Sequence, residues 1–468
     1  MSFSSILFIF IFLPVMLVIY YVAPRFLKNG VLLLGSLVFY AWGDPVYVIL
    51  LLLSVLFNYF SGLDIARKQG KKRARMRSML FAVCVNLLIL GFFKYYGFLT
   101  ESLNRILPFD IPVWELAAPL GISYFTFQAL SYIWDVYRGM APVQTGVLKL
   151  GLYLAMFPQI TSGPIVKYRD IAPQIEQREE SLGKFGQGIM IFVVGLSKKL
   201  LLANTLGQVH TYVAGLSPDQ VSVLTAWVGC LAYTFQIYFD FGGYSDMARG
   251  IGKMFGFELP RNFDYPYLSK SVTEFWRRWH MSLGQWFRDY VYIPMGGNRV
   301  SVPRHLLNLL TVWFLTGLWH GAGWNFIVWG LYYGVVLILE KYLYGRFLEK
   351  LPEGVRIVYN MLLVMAGWVL FFSPDISGAL AWLGRMAGIG AAGIVDSRAV
   401  YLLKTNWLFW AAAIVGSTPV VKRMYLLFAQ DGKRTRPVAG ALILAGLFFL
   451  CIAYLVTESY QPFLYVQF

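Results

Sequence analysis

Long apolar runs separated by short polar connections dominate this chain of 468 residues. A helix needs roughly 20 apolar residues to cross about 30 Å of hydrocarbon, and fewer when neighbours enclose it. On that rule twelve segments read as membrane helices: 6–23, 31–42, 46–63, 78–99, 117–136, 186–203, 221–239, 305–319, 324–343, 355–372, 404–421 and 438–457. Segment 147–160 is a candidate for a further dip into the membrane. The expected fold is all-α, a polytopic transmembrane helix bundle of about 11–13 spanning or re-entrant helices. It is expected to form one membrane domain over residues 1–468. The first run, MSFSSILFIFIFLPVMLVIYY, lacks a basic start and a small-residue cleavage site, so it reads as a retained helix.

Composition agrees with that pattern. The chain is 58% hydrophobic and only 14% charged, where a soluble domain is about 25% charged. Its 15 Trp and 30 Tyr are the amphipathic rings that favour membrane interfaces. A net charge of +16 on a soluble protein would point to nucleic acid. Here the cations sit in loops, so charge reads as topology and no nucleic-acid partner is expected.

With the N-terminus outside, the inner loops are 24–30, 64–77, 137–185, 240–304, 344–356 and 422–437. They hold 32 of the 40 Lys and Arg, and the outer loops hold only Arg105, Arg385 and Arg398. That split obeys the positive-inside rule, with RKQGKKRARMR (67–77) as the strongest anchor. Two inner stretches, 137–185 and 240–304, are long and rich in charge and aromatics, and function collects in such places. No internal repeat supports an inverted-repeat transporter. Cys84, Cys230 and Cys451 each lie in an apolar run, with no metal spacing and no disulfide framework.

Only four histidines are present. His210, placed in a polar outer loop, and His305, at a helix start among basic residues, read as ordinary surface groups. His280 lies in TEFWRRWHMSLGQWFRDY (273–290) and His320 in FLTGLWHGAGWNF (314–326). An ionisable group at membrane depth is costly and should face a cavity or a partner, and a neutral imidazole can deprotonate a hydroxyl near neutral pH. Gly317, Gly321 and Gly323 would leave room around His320, and Trp319 and Trp324 would wall a pocket. The competing reading is that His320 only bonds a neighbouring helix; the residues alone leave both open.

The 273–290 stretch reads as one amphipathic helix with start signals at Thr273 and Glu274. Arg277, Arg278 and Arg288 surround Trp276, Trp279 and Trp286, either at the inner interface or lining a funnel for an anionic donor's phosphates. Upstream, Gly242 and Gly243 should break the helix after the apolar run. Asp240 and Asp246 there are expected to have a structural role, holding arginines of the 277–288 stretch. PMGGNR (294–299) is a turn by composition. FPQITSGPIVKY (157–168), with its Pro and Gly, is a structured re-entrant loop. No serine elbow, metal-ligand cluster or paired carboxylates appear, so a His-assisted transfer remains and no metal is expected.

The region Tyr238–His320 resembles the membrane-bound O-acyltransferase family. The matching pieces are YFDFGGYSDMARGIGKMFGF, NFDYPYLSKSVTEFWRRWHMSLGQWFRDYVYIPMGGNR and GLWHGAGWNFIVWG. FSSILFIFIFLPVMLVIYY, PLGISYFTFQALSYIWDVYRG and the terminal QPFLYVQF resemble its branch of membrane subunits from bacterial alginate and other polysaccharide O-acetylation systems. The resemblance implies a cytoplasmic funnel and a central tunnel, with residues 238–326 as the motif-rich catalytic core. It implies His320 as the essential general base and His280 as its second polar partner nearer the cytoplasm. Trp276, Arg277, Arg278, Trp279, Trp319 and Asn325 are the candidate substrate-binding residues. It further implies acetyl-CoA as donor substrate with no bound cofactor, and an extracytoplasmic acetyltransferase partner that decorates an exopolysaccharide. The setting is a bacterial cytoplasmic membrane crossed many times. Related branches transfer D-alanine from a carrier thioester or act on peptidoglycan. Two readings of other classes are a lipid-linked sugar transporter and a silent scaffold. The charge-derived topology puts His320 near the outer end of its helix, whereas the family picture needs it deep; a tilted short helix or an indented membrane reconciles the two.

Overall fold

The computed structural model describes residues 1–114, 117–429 and 435–457. QPFLYVQF (461–468) and residues 430–434 of the last inner loop lie outside them. Among the described residues the chain is helical throughout, with no strand. It groups into two compact units, Met1–Ile191 with Met247–Pro260, and Phe192–Asp246 with Arg261–Phe468.

Eleven of the twelve apolar segments fall mainly on one continuous helical stretch and 404–421 spans a broken one, but fewer helices are long enough to cross a bilayer. Among the described residues six qualify: Val48–Arg67, Lys72–Asn104, Leu182–Ala214, Trp324–Leu348, Glu353–Phe372 and Val438–Thr457. A seventh results if Ser397–Thr405 and Trp407–Gly416, bent by 65°, count as one span. The first run gives only a shorter apolar helix, Phe8–Val22. The expected 11–13 therefore includes helices too short or too polar to span by themselves. Apolarity marked them correctly, while length, set by where Gly, Pro and tertiary contacts end each helix, did not follow from it. The lipid-compatible surface is visible directly: Leu34, Leu88, Leu442 and Phe449 are exposed, and an exposed apolar face of this extent needs hydrocarbon around it.

In the first unit the helices Val48–Arg67 and Lys72–Asn104 are joined by reciprocal amide bonds. Asn58 Nδ2 donates to Asn86 Oδ1 (3.1 Å) and Asn86 Nδ2 to Asn58 Oδ1 (2.9 Å). Such pairs hold membrane helices together where apolar side chains gain nothing over lipid. The segment 157–168 is buried throughout and forms one helical turn, Phe157–Ile160, followed by irregular backbone, the departure from regular helix that its Pro and Gly require.

In the second unit the helices Val302–His320 and Trp324–Leu339 pack as a tight hairpin. A Cβ on Gly330 would lie 2.3 Å from the Trp313 carbonyl, and one on Gly317 2.3 Å from that of Phe326. Only glycine lets these backbones touch. The same principle explains a departure from expectation at Gly242 and Gly243. The helix Val223–Met254 runs through both without a break. Gly243 instead gives close approach, since a Cβ there would lie 2.6 Å from the Gly195 carbonyl. The core of this unit is aromatic, with Trp279, Trp329, Trp368 and Tyr333 buried.

Candidate functional site

The motif-rich stretch folds differently from one amphipathic helix. It forms two short helices, Val272–Arg278 and Met281–Phe287, and then a wide π-type turn, Arg288–Tyr292. Ser271 caps the first by accepting from the Glu274 N–H (3.0 Å), the start signal S-x-x-E shifted two residues ahead of Thr273. The break falls at His280, whose backbone is left-handed (φ 42°). A non-glycine residue adopts that conformation only when its surroundings impose it. Asn262 supplies the constraint. Its carbonyl accepts from Met281 N (2.9 Å), and its side-chain Oδ1 faces Ser282 N (3.1 Å), Ser282 Oγ (2.9 Å) and His280 Nδ1 (3.2 Å). His280 is 2% exposed, and burial pulls its pKa well below 6.5, which keeps the imidazole neutral.

A second clamp holds the other end of the same segment. The buried Glu340 carboxylate accepts from the backbone N–H groups of Val272 (2.6 Å) and Thr273 (2.9 Å) and from Thr273 Oγ1 (2.6 Å). A carboxylate at a helix N-terminus meets unsatisfied donors and a favourable dipole. Neither Asn262 nor Glu340 stood out in the sequence. Asn262 lies inside the quoted NFDYPY piece, and Glu340 is the sole acidic residue in its apolar run, a signal by itself at membrane depth.

These elements enclose a cavity of about 1090 Å³. Trp276, Arg277, Trp279 and His280 line it, together with Thr316, one helical turn before His320. His320 ends the helix Val302–His320 and is 3% exposed. Its ring packs edge-on against Trp319 (5.0 Å), Trp329 (4.9 Å) and Phe371 (5.4 Å). Trp319 also meets His280, at 5.9 Å between centroids, so one indole touches both histidines. The space expected at Gly321 is filled: a Cβ there would lie 2.2 Å from the Phe326 ring. Trp324 is 53% exposed and Trp319 buried.

Other expected site residues turn elsewhere. Arg278 pairs with Glu274 (2.7 Å) and bonds the Asp264 carbonyl (3.3 Å). Asn325 Nδ2 donates to the Ser373 carbonyl (3.1 Å), tying its helix to the end of Glu353–Phe372. Asp240 and Asp246 were expected to hold arginines; they pair instead with Lys199 (2.5 Å) and Lys198 (2.7 Å). Both lysines follow closely after Gly195, whose carbonyl packs at Gly243, on the same long helix Leu182–Ala214.

Of the two histidines set aside as surface groups, His305 is buried and His210 is half-buried. His210 lies inside the helix Asn204–Ala214 with its ring against Tyr233 (4.8 Å) and Phe372 (4.7 Å). His305, 2% exposed, lines the cavity. Its two ring nitrogens lie 2.8 Å from Tyr292 Oη and 2.7 Å from Tyr342 Oη. Asn308, one turn on, donates to the carbonyls of Met295 (3.3 Å) and Gly297 (3.1 Å), which pins the expected PMGGNR turn to the His320 helix. Five cations also line the cavity: Arg277, Arg288, Lys341, Arg346 and Arg356. None of the five forms an ion pair among the described residues, although Glu340 and Glu349 share the lining.

The site thus joins a buried histidine to a large cavity lined by cations, in an all-helical chain with a lipid-compatible surface. Comparison with known proteins gives the class. The profile of the membrane-bound O-acyltransferase family matches residues 141–380. The chain belongs to that family and is a multi-pass membrane acyltransferase. It is 41% identical over 396 residues to the probable alginate O-acetylase of Azotobacter vinelandii, covering 83% of this chain and 79% of that protein. It is 38% identical over 490 residues to the probable alginate O-acetylase of Pseudomonas putida, covering 100% of both. It is also 33% identical over 463 residues to the peptidoglycan O-acetyltransferase of Helicobacter pylori, covering 91% of this chain and 88% of that protein. Membership in an acyltransferase family decides against the transporter and scaffold readings.

Proposed function

We propose that this protein takes an acetyl group from acetyl-CoA held in the cationic cavity and passes it, through a tunnel at His320, to a hydroxyl on the other side of a bacterial cytoplasmic membrane. The observation that carries the reading is the set of five unpaired cations in one cavity with His280. Cations left without carboxylates where carboxylates are near hand are suited to phosphate, and Arg forks onto it. The cations at 277, 288, 346 and 356 belong to stretches that the charge distribution places on the cytoplasmic side, where acetyl-CoA is found. His320 lies one turn beyond the cavity wall. In the reaction His320 accepts the proton of the acceptor hydroxyl as its oxygen attacks the thioester carbonyl. The C–S bond breaks, and the departing thiolate takes the proton back from the imidazolium, so the histidine ends neutral. His280 is the second polar group of the path, and Trp276, Arg277, Trp279 and Trp319 line it.

The acceptor is a hydroxyl of an extracytoplasmic partner enzyme that O-acetylates an exopolysaccharide, alginate being the polymer named for the relative matched over the whole chain. A peptidoglycan acceptor is the second reading, supported by the relative that matches 91% of the chain. The deciding measurement is transfer from radiolabelled acetyl-CoA by the protein in nanodiscs, with His320→Ala compared and folding checked by gel filtration. Wild type should release CoA or gain label, and His320→Ala should be slower by at least ~100-fold. Inactivity of wild type even with candidate acceptors present, together with activity on a carrier-protein thioester, overturns the donor.

A further inference from the structure

Asn262 fixes which nitrogen of His280 is basic. The reasoning starts from Ser282, whose backbone N–H lies 3.1 Å from Asn262 Oδ1. A backbone N–H can only donate, so the atom facing it must be the amide oxygen and not the amide nitrogen. That oxygen can only accept. It also lies 3.2 Å from His280 Nδ1, so Nδ1 must carry a hydrogen. A buried imidazole is neutral and holds a single N–H, which leaves Nε2 with a bare lone pair. The main chain enforces the arrangement, because the Asn262 carbonyl accepts from Met281 N (2.9 Å) and Asp264 N donates to the Arg278 carbonyl (3.0 Å). The left-handed φ of 42° at His280 turns its side chain from one short helix toward Asn262 as the chain enters the next.

We infer that Asn262 is a positioning residue: it locks His280 in the Nδ1–H tautomer, so that this histidine presents Nε2 as a hydrogen-bond acceptor to the cavity. In that form His280 can receive a hydrogen bond from a hydroxyl, a thiol or a water. It cannot donate one to a thioester carbonyl, which excludes it as an oxyanion donor. The inference deepens the acyl-transfer reading and rests on it only for its kinetic consequence; the tautomer itself is independent of what the enzyme does.

The test has two arms that separate those layers. With only four histidines in the chain, ¹⁵N-histidine NMR of the protein in nanodiscs is tractable, and a His280→Gln sample assigns the His280 signals. Wild type should show His280 as the Nδ1–H tautomer, Asn262→Ala should lose that preference, and Asn262→Asp, which keeps an acceptor oxygen, should retain it. Finding wild-type His280 as the Nε2–H tautomer overturns the inference whatever the activity. In the kinetic arm, Asn262→Ala should lower kcat by about 10–100-fold, the range seen when an orienting partner of a functional histidine is removed. KM for the donor should change little, and Asn262→Asp should recover most of kcat. Equal losses in both variants, accompanied by lost thermal stability, would make Asn262 merely structural and also overturn it.

Discussion

Two sets of basic side chains in this molecule obey opposite rules. One set is paired with carboxylates, as in the first unit Lys28 is with Glu180, Lys149 with Glu176 and Lys68 with Asp64. The same holds at Lys199, buried beside Asp240 in the second unit. Around the cavity the pattern reverses. Five cations gather there with no ion pair among the described residues, and Glu340, a carboxylate in the same lining, spends its oxygens on backbone and hydroxyl donors. Pairing marks charge that serves the fold, because a lone buried charge is prohibitively costly. Unpaired clustering in a cavity marks charge kept available for a ligand.

The largest expected effect comes from breaking the most buried pair. Lys199→Met should destabilise by ~3–5 kcal/mol, since it removes the cation beside the buried Asp240 carboxylate. The double variant Lys199→Met with Asp240→Leu should recover most of that loss in thermal unfolding. No recovery would mean that Lys199 serves something other than Asp240. Next comes the cavity. Arg277→Glu with Arg346→Glu should leave unfolding temperature nearly unchanged and raise KM for acetyl-CoA about 100-fold, about tenfold per arginine replaced. A fall in stability with unaltered KM would place these arginines with the structural set.

The smallest effect belongs to a half-exposed pair. The hydrogen bond from Lys149, more than that from Gln144, holds the Glu176 carboxyl below its ordinary 4.5. A depressed carboxylate stabilises the fold above the unfolded value and loses that contribution as pH falls through the folded one. Lys149→Ala should therefore cost no more than about 0.5 kcal/mol at pH 7 after solvent screening. The difference from wild type should shrink as pH falls below 4.5 and vanish once Glu176 is protonated in the folded protein. A cost that persisted in acid would be packing rather than charge.

Much of this molecule is legible in its sequence, and the reasons are local. Apolar runs have nowhere to go but lipid or a helical core, so all twelve segments are largely helical, 404–421 in broken form. The PMGGNR turn and the irregular 157–168 segment follow from Gly and Pro chemistry, which neighbours do not override. The family is carried by motif pieces whose residue order survives any error in helix boundaries, and those pieces contain His280 and His320.

What the tertiary structure decided are matters of which side chain meets which. Gly243 reads as a helix breaker alone, yet becomes a contact surface once the Gly195 backbone lies against it. His305 reads as a surface group because its neighbours in sequence are basic, but the residues that bury it, Tyr292 and Tyr342, are 13 and 37 positions away. The single helix expected over 273–290 breaks at His280 because Asn262, 18 residues upstream, competes for the N–H groups of Met281 and Ser282. A sequence specifies the polarity and local conformational preference of each residue. Partners for buried polar groups are chosen in three dimensions, where every donor must find an acceptor, and that choice set the geometry of this site.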